Sequence, residues 1–258
     1  MISGLIVYSE IDALKNKWFI QKCQEECLKK QISLIYKEEK ETIDYINKHQ
    51  VDFVIYRARN SELLKEIEAK GIRCFNNYHT NKTANDKFLT YQFLKENNFP
   101  CLDTFLNIDD VGNYPLVMKS RSGHGGTEVF LINNKEDANN TSDGYIYQRY
   151  IPNNGDVRIY VLNQQVIAAI KRKSEQDFRN NYSLGGKVEL FDAPEEMKAI
   201  ALKISKLLNA DYIGVDFLLT KGGCFVNEIE DPVGARMLYQ TSDIDIIKLF
   251  IEYISKTI

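Results

Sequence analysis

Three carboxylates between Ile213 and Arg236, those of Asp216, Glu228 and Glu230, are spaced to hold a divalent cation. Apolar residues alternate through Val215, Phe217 and Leu219, a Lys221-Gly222-Gly223 break follows, and Phe225 and Ile229 continue the pattern, which predicts a β-hairpin. A three-residue loop with Gly223 at positive φ would set Thr220 opposite Cys224 and Asp216 opposite Glu228, with Glu230 further along the same face. Like charges facing one another across a ladder destabilise it unless something positive sits between them. Hard carboxylate oxygens suit Mg2+, which completes its shell with phosphate oxygens and water. The pattern also fits a solvated outer face, so other segments must decide.

Four of them bear on the question. Pro115-Leu-Val-Met-Lys119 runs into a turn carrying Gly123, Gly125 and Gly126, and a second strand leaves it. Neither the phosphate loop G-x-x-x-x-G-K-[ST] nor the Rossmann fingerprint is present, because no helix follows these glycines. What remains is a glycine flap whose backbone N–H groups can close over phosphates, although plain hairpins carry glycines too. Lys87 falls in the first turn of a helix, where a cation opposes the macrodipole unless an anion lies nearby. Arg57 and Arg59 come directly after a strand of a parallel sheet, the end at which such sheets bind ligands, and they fit an ordinary surface equally well. Between Tyr147 and Lys187 there are seven Lys/Arg against three Asp/Glu. That local excess beside an acidic hairpin suits a metal-bound triphosphate, or else a solvated face.

The elements that must position these residues fall into three regions, expected at 1–82, 83–146 and 147–258. In the first, short apolar strands (Leu5–Tyr8, Ile32–Tyr36, Val51–Tyr56, Ile72–Phe75) alternate with helices, one running through Trp18, Cys23 and Cys27 and another capped by Ser61. This rhythm means a small parallel sheet. Asn76 to Ala84 reads as a polar linker, and a helix from about Thr83 to Asn97 follows. Strands are expected at Tyr145–Pro152, Asp156–Leu162 and Val166–Ile170. A helix from Ala193 to Leu208 begins with the Asp192-Ala-Pro-Glu195 capping box, and an amphipathic helix spans Asp243–Ile258.

Composition narrows the class. At 258 residues the chain can bury a core, and 44% hydrophobic with 27% charged residues is ordinary for a soluble globular protein. A net charge of −3 gives no global basic field, so nucleic acid is not an expected partner. No apolar run is long enough to cross a bilayer and the N-terminus lacks a leader pattern, so no membrane partner is expected either. Five cysteines with no second Cys or His pair at ligand spacing read as cytosolic thiols, and the expected compartment is the cytoplasm.

Together these segments resemble the ATP-grasp superfamily and, within it, the RimK-like carboxylate–amine ligases. The resemblance runs over nearly the whole chain: Asp86-Lys87, Pro115–Lys119 with its flap, Tyr147-Gln-Arg-Tyr-Ile151, Gly155-Asp-Val-Arg158, Arg172, Phe178-Arg-Asn-Asn181, Gly214-Val-Asp216 and Glu228-Ile-Glu230. It implies an ATP-grasp fold of mixed α/β and α+β character. A small parallel-sheet domain would be followed by two α+β subdomains that clasp ATP. The cofactors implied are ATP with one or two Mg2+, or Mn2+ in its place.

The resemblance also implies roles. Lys87 and Lys119 would reach the phosphates under Gly123, Gly125 and Gly126. Gln148, Arg149, Tyr150 and Ile151 would contact adenine and ribose. Arg179 and Asn181 would meet phosphates and the acyl intermediate, and Arg158 and Arg172 would hold phosphates or the acceptor carboxylate. Asp216, Glu228 and Glu230 would bind metal, with Glu230 standing where the family usually has asparagine. Asp216→Asn or Glu228→Gln is then expected to abolish turnover and leave the fold intact.

Arg57, Arg59 and Arg236 favour an acidic amino acid or peptide terminus as substrate, and the closing helix is compatible with a homodimer. Two other readings stand beside the ligase. One is an ATP-binding sensor module that no longer catalyses, for which the change at Glu230 speaks. The other is a kinase-like phosphotransferase, against which the absence of H-R-D and D-F-G counts.

Overall fold

In the computed structural model, which describes residues 2–124, 128–138, 144–173 and 187–258, four strands open the chain: β1 (Ile2–Tyr8), β2 (Ile32–Glu38), β3 (Phe53–Tyr56) and β4 (Arg73–Phe75). All are parallel, in the order β2-β1-β3-β4. Leu5–Tyr8 and Phe53–Tyr56 are apolar throughout because both faces of the sheet are covered. The helices α1 (Glu10–Lys15), α2 (Lys17–Lys29), α3 (Glu39–Lys48) and α4 (Ser61–Ala69) supply that cover. The helix expected through Trp18 is thus preceded by a separate short one. Asn60 rather than Ser61 caps α4, its side chain accepting from the Leu63 N–H at 3.1 Å.

Two antiparallel sheets follow. The first contains β5 (Thr104–Phe105), β6 (Leu116–Ser120), β7 (Val129–Ile132) and β8 (Tyr145–Arg149), in the order β5-β8-β6-β7. The second contains β9 (Asn153–Leu162), β10 (Gln165–Lys173), β11 (Lys187–Leu190), β12 (Tyr212–Thr220) and β13 (Gly223–Glu230), in the order β11-β10-β9-β12-β13. The long strand β9 pairs with both β10 and β12, so side chains from three neighbouring strands meet on one face. The other face is apolar. Val157, Ile159, Val215, Phe217, Val226 and Ile229 pack there under α7 (Glu195–Leu208). Pro194 precedes α7 and Asp192 is exposed, so the capping box does not form.

The expected linker is a helix. α5 (Tyr78–Ala84) is capped by Asn77, whose side chain accepts from the Thr80 N–H at 2.8 Å, and α6 (Lys87–Glu96) follows it, capped by Asp86. Its polar residues bind neighbouring elements instead of water. Asn76 Nδ2 donates to the Tyr212 carbonyl at 2.7 Å and to Asp231 Oδ1 at 2.8 Å, while its Oδ1 accepts from the N–H groups of Asp211 and Tyr212. Asn81 Nδ2 donates to Asp231 Oδ2 at 2.9 Å and to the Ala58 carbonyl at 3.0 Å. Asn85 donates to the Asp231 carbonyl at 2.8 Å. Three asparagines thereby fasten Asp231, just after β13, to the parallel sheet.

The chain closes with α8 (Arg236–Thr241), which the sequence reading did not foresee, and α9 (Ile246–Thr257), capped by Asp245. Phe250, Ile251 and Ile254 of α9 share one core with Phe19, Cys23, Cys27 and Phe75 from the parallel sheet and its helices. Asn76→Ala would leave two buried N–H groups without acceptors and Asp231 one donor short. Unpaired buried groups of this kind cost about 1–3 kcal/mol each, so the variant is expected to lose about 3 kcal/mol of stability in urea unfolding.

Candidate active site

Asp216 on β12 lies opposite Glu228 on β13, as the sequence predicts, but the ladder reaches that pairing by another route. Thr220 faces Gly223 and Leu219 faces Cys224, so the loop has two residues and the strands start one position out of the expected register. Gly223 does have positive φ, at 121°. The register shifts between Phe217, which faces Val226, and Asp216, which faces Glu228. Asn227 is the extra residue of this β-bulge. Phe225 pairs with Leu218 on the cleft side, not with the core as expected, while Val226 and Ile229 face the core. Asn227, Glu228 and Glu230 therefore all line the cleft.

Asp216 is buried beneath two guanidinium groups. Arg158 on β9 donates through Nε and Nη2 to its two oxygens, both at 2.7 Å, and Nη2 also donates to Glu230 Oε1 at 2.6 Å. Arg172 on β10 donates through Nη2 to Asp216 Oδ2 at 2.6 Å and makes a two-pronged contact with Asp156. Five charges alternate in sign along this chain: Asp156, Arg172, Asp216, Arg158, Glu230. Burial by itself would raise the Asp216 carboxyl, but the two guanidinium groups hold it down to about 2. Among the described residues Asp156 has one arginine in contact, Arg172, and burial pushes its carboxyl up to about 6. Gly214 makes the crossing possible, because a Cβ there would lie 3.2 Å from the Arg158 side chain and 2.8 Å from Val233.

The lysines approach from the other antiparallel sheet and its entry helix. Lys119 on β6 is buried, and its Nζ donates to Asn227 Oδ1 at 2.9 Å. Burial lowers its pKa below the usual lysine value. Lys87, the first residue of α6, lies 3.7 Å from Glu228 and donates to the Gly123 carbonyl. Both lysines and the carboxylates of Asp216, Glu228 and Glu230 line one cavity of about 330 Å3.

Ligand oxygens of Asp216, Glu228 and Glu230 all lie within 4.8 Å of one another. That all-oxygen donor set fits a hard divalent cation. The fit is unequal: Asp216 is largely committed to arginines, whereas Glu228 faces the cavity and Glu230 gives one oxygen to Arg158.

The other expected site residues divide. Gln148, Arg149, Tyr150 and Ile151 line the same cavity, with Gln148 fixed by a 2.8 Å hydrogen bond to the Thr104 hydroxyl. Arg158 and Arg172 are bound up with carboxylates, so these two members of the local excess of positive charge read from the sequence are not part of an open basic surface. Arg57 is buried, donating to the Tyr8 hydroxyl at 3.0 Å and the Val233 carbonyl at 2.8 Å and stacking on Phe19. Arg59 pairs with Asp12, and the exposed Arg236 donates to the Lys15 carbonyl at 2.9 Å. All three arginines line the cavity at its parallel-sheet end. Gly125, Gly126, Arg179 and Asn181 lie outside the described residues. Asn227 and Asp156 were not singled out as site residues. A signal for Asn227 was present, since apolar positions 224, 226 and 229 break the period of two.

A family model for the RimK-like ATP-grasp domain matches residues 84–254. A Mycoplasma pneumoniae protein named "Uncharacterized protein MG011 homolog" is 33% identical over 244 residues, 91% of this chain and 86% of that one. A Haemophilus influenzae protein named "Probable alpha-L-glutamate ligase" is 30% identical over 210 residues, 74% of this chain and 70% of that one. The fold is similar to that of the ATP-grasp ligase PsnB, solved with minimal precursor, Mg and ADP, at a TM-score of 0.69 and 15% identity over 97% of this chain and 96% of that one.

The buried charge chain bears on one expectation: Asp216→Asn is expected to cost stability as well as turnover. It removes the charge between two buried guanidinium groups, and breaking a buried pair typically costs about 3–5 kcal/mol. A loss of that size is expected in chemical denaturation, while Glu228→Gln, at the cavity surface, is expected to change stability by about 1 kcal/mol or less.

Proposed function

This chain belongs to the RimK-like ATP-grasp family, and on that premise we propose that it uses ATP to join a carboxylate to an amine through an acyl phosphate. The observation that carries the reading is the meeting of Lys87 and Lys119 with Glu228 and its neighbouring carboxylates across one cavity. Cations on one wall and cation-binding oxygens on the other suit a triphosphate lying between them. Glu228, Glu230 and the remaining lone pair of Asp216 would hold Mg2+. When bound, that ion neutralises phosphate charge and orients the transferring group.

In the first step an oxygen of the substrate carboxylate attacks the γ-phosphorus, the new O–P bond forms and ADP leaves. In the second the neutral amine attacks the acyl carbon, the C–N bond forms, inorganic phosphate departs with the C–O bonding pair, and the nitrogen gives up a proton to the leaving phosphate or solvent. Lys87 and Lys119 steady the phosphates in both steps, and Arg179 and Asn181 are assigned to the phosphoryl and acyl oxygens. Gln148 to Ile151 form the adenine and ribose contacts. Arg158 through Nε and Nη2 and Arg172 through Nη2 fix the orientation of Asp216, and both arginines line the cavity, where they act on the phosphates or the acceptor carboxylate.

The substrate is an amino acid or peptide with an acidic end, met by Arg59 and Arg236, while Arg57 shapes that end of the cavity from beneath. Support comes from the relatives named as glutamate ligases and from the PsnB complex with its precursor. Among the described residues, no helix is long and apolar enough to cross a membrane, in keeping with a cytoplasmic enzyme.

The test is ATP-dependent phosphate release by the purified chain with a panel of amino acids and short acidic peptides, followed by mass spectrometry of the product. An amide product with stoichiometric ADP is expected. Nucleotide binding without turnover on any acid–amine pair would leave a sensor module in its place. In the active pair, Glu228→Gln is expected to lower kcat by about 100- to 1,000-fold, the usual loss when one charge-stabilising group is removed.

A further inference from the structure

β13 carries one residue more than its partner needs. Between Val226, which faces the core opposite Phe217, and Ile229, which faces the core opposite Val215, a regular strand would place a single residue on the cleft side. The bulge places two there, Asn227 and Glu228. Removing Asn227 from the ladder on paper leaves every other pairing intact, including Asp216 with Glu228. The extra residue is therefore not needed to set the carboxylates opposite each other. Its effect is to bring one more polar side chain to the cleft.

That side chain meets Lys119. The Lys119 amine donates to Asn227 Oδ1 at 2.9 Å, and Glu228 lies 3.7 Å from the amine of Lys87. Two successive residues of one strand thus address both lysines, each of which arrives from a separate element. Asn227 and Lys119 also belong to different sheets, so their hydrogen bond spans the cleft. Beside it, the Val226 N–H donates to the Pro100 carbonyl at 2.7 Å and Cys101 bridges to Val226, pinning the approach to the β5 sheet at the same point.

The choice of amide is informative. A carboxylate at this position would form an ion pair with Lys119 and cancel the charge it presents to a third group, and it would add a like charge beside Glu228. A neutral carbonyl aims the amine through one N–H and leaves its charge and two other N–H groups for a ligand.

We propose that Asn227 is a positioning residue that holds the Lys119 amine toward the nucleotide phosphates without neutralising it. This rests on the reading of the cleft as an ATP site. The probe is an N-methylanthraniloyl ATP analogue with excess Mg2+, titrated by fluorescence into the full-length chain and variants whose melting temperatures are measured alongside. Asn227→Ala is expected to weaken nucleotide affinity by about tenfold, the scale of one lost hydrogen bond to a charged group. Asn227→Asp, which preserves size and supplies the carboxylate, is expected to weaken it at least as much.

In a Lys119→Met background Asn227→Ala should have no further effect, because the group it positions is gone. That absence of additivity separates positioning from a general loosening of the strand. Unchanged affinity in Asn227→Ala, or the same tenfold loss without Lys119, would overturn the inference while the ATP site stood. If Asn227→Ala proves unfolded, Asn227→Asp decides, and affinity equal to or tighter than the wild type in that variant overturns the inference. Wild-type chain that binds no nucleotide would overturn the reading of the cleft, and the inference with it.

Discussion

Two guanidinium groups sharing one buried carboxylate set the geometry of this molecule. Arg158 and Arg172 come from adjacent strands and converge on Asp216 of a third, with Asp156 and Glu230 closing the two ends of the chain of charges. None of these groups tolerates burial alone, because an unpaired charge in a dry interior costs several kcal/mol. Each therefore constrains the rotamer of the next, and the face of the β9–β12–β13 region has one self-consistent arrangement. The cavity inherits that rigidity. Glu228, which stands at the edge of the network instead of within it, keeps its oxygens for whatever enters the cavity.

The second constraint is the joint around Asp231. A ligase of this architecture must hold a small parallel sheet against two antiparallel ones, and apolar contact alone would leave the angle between them loosely defined. Asn76, Asn81 and Asn85 define it by directed hydrogen bonds, with Asn76 using its amide as both donor and acceptor. Arg57 adds a fourth tie through the Val233 carbonyl. The residues that read as a polar connector are polar because they bind protein across this seam.

The parallel sheet, the antiparallel hairpins and the placement of the carboxylates were legible in the sequence, since each rests on short-range patterning, whereas the convergence of Lys87 and Lys119 on them was implied by the family resemblance. Strand alternation put Asp216 and Glu228 together. It did so with the wrong loop, because an error of one residue at the turn was compensated by the bulge at Asn227. The arginines were harder. Periodicity places Arg158 and Arg172 on a face and cannot say that Asp156 and Asp216 pair with them there, which is why two arginines of a buried network were counted with the basic surface. Asn76 to Ala84 failed for a related reason: its asparagines are capping and bridging groups, and composition alone treats such residues as solvent-facing. The short helix α8 carries too few turns to show a stripe.

The core shared by α2, β4 and α9 has a bearing on how the polypeptide is made. Phe75 packs edge-on against Phe250, and Cys23 and Cys27 lie in the same apolar layer as Ile251 and Ile254. During synthesis the parallel sheet leaves the ribosome well before the helix that helps seal one of its faces, because α9 lies far along the chain from β4. Until then α2 covers that face in part, and the area around Phe75 waits for α9. A nascent chain therefore leaves the part of this face that α9 covers open while the intervening residues are made, and chaperones can hold it until the helix docks.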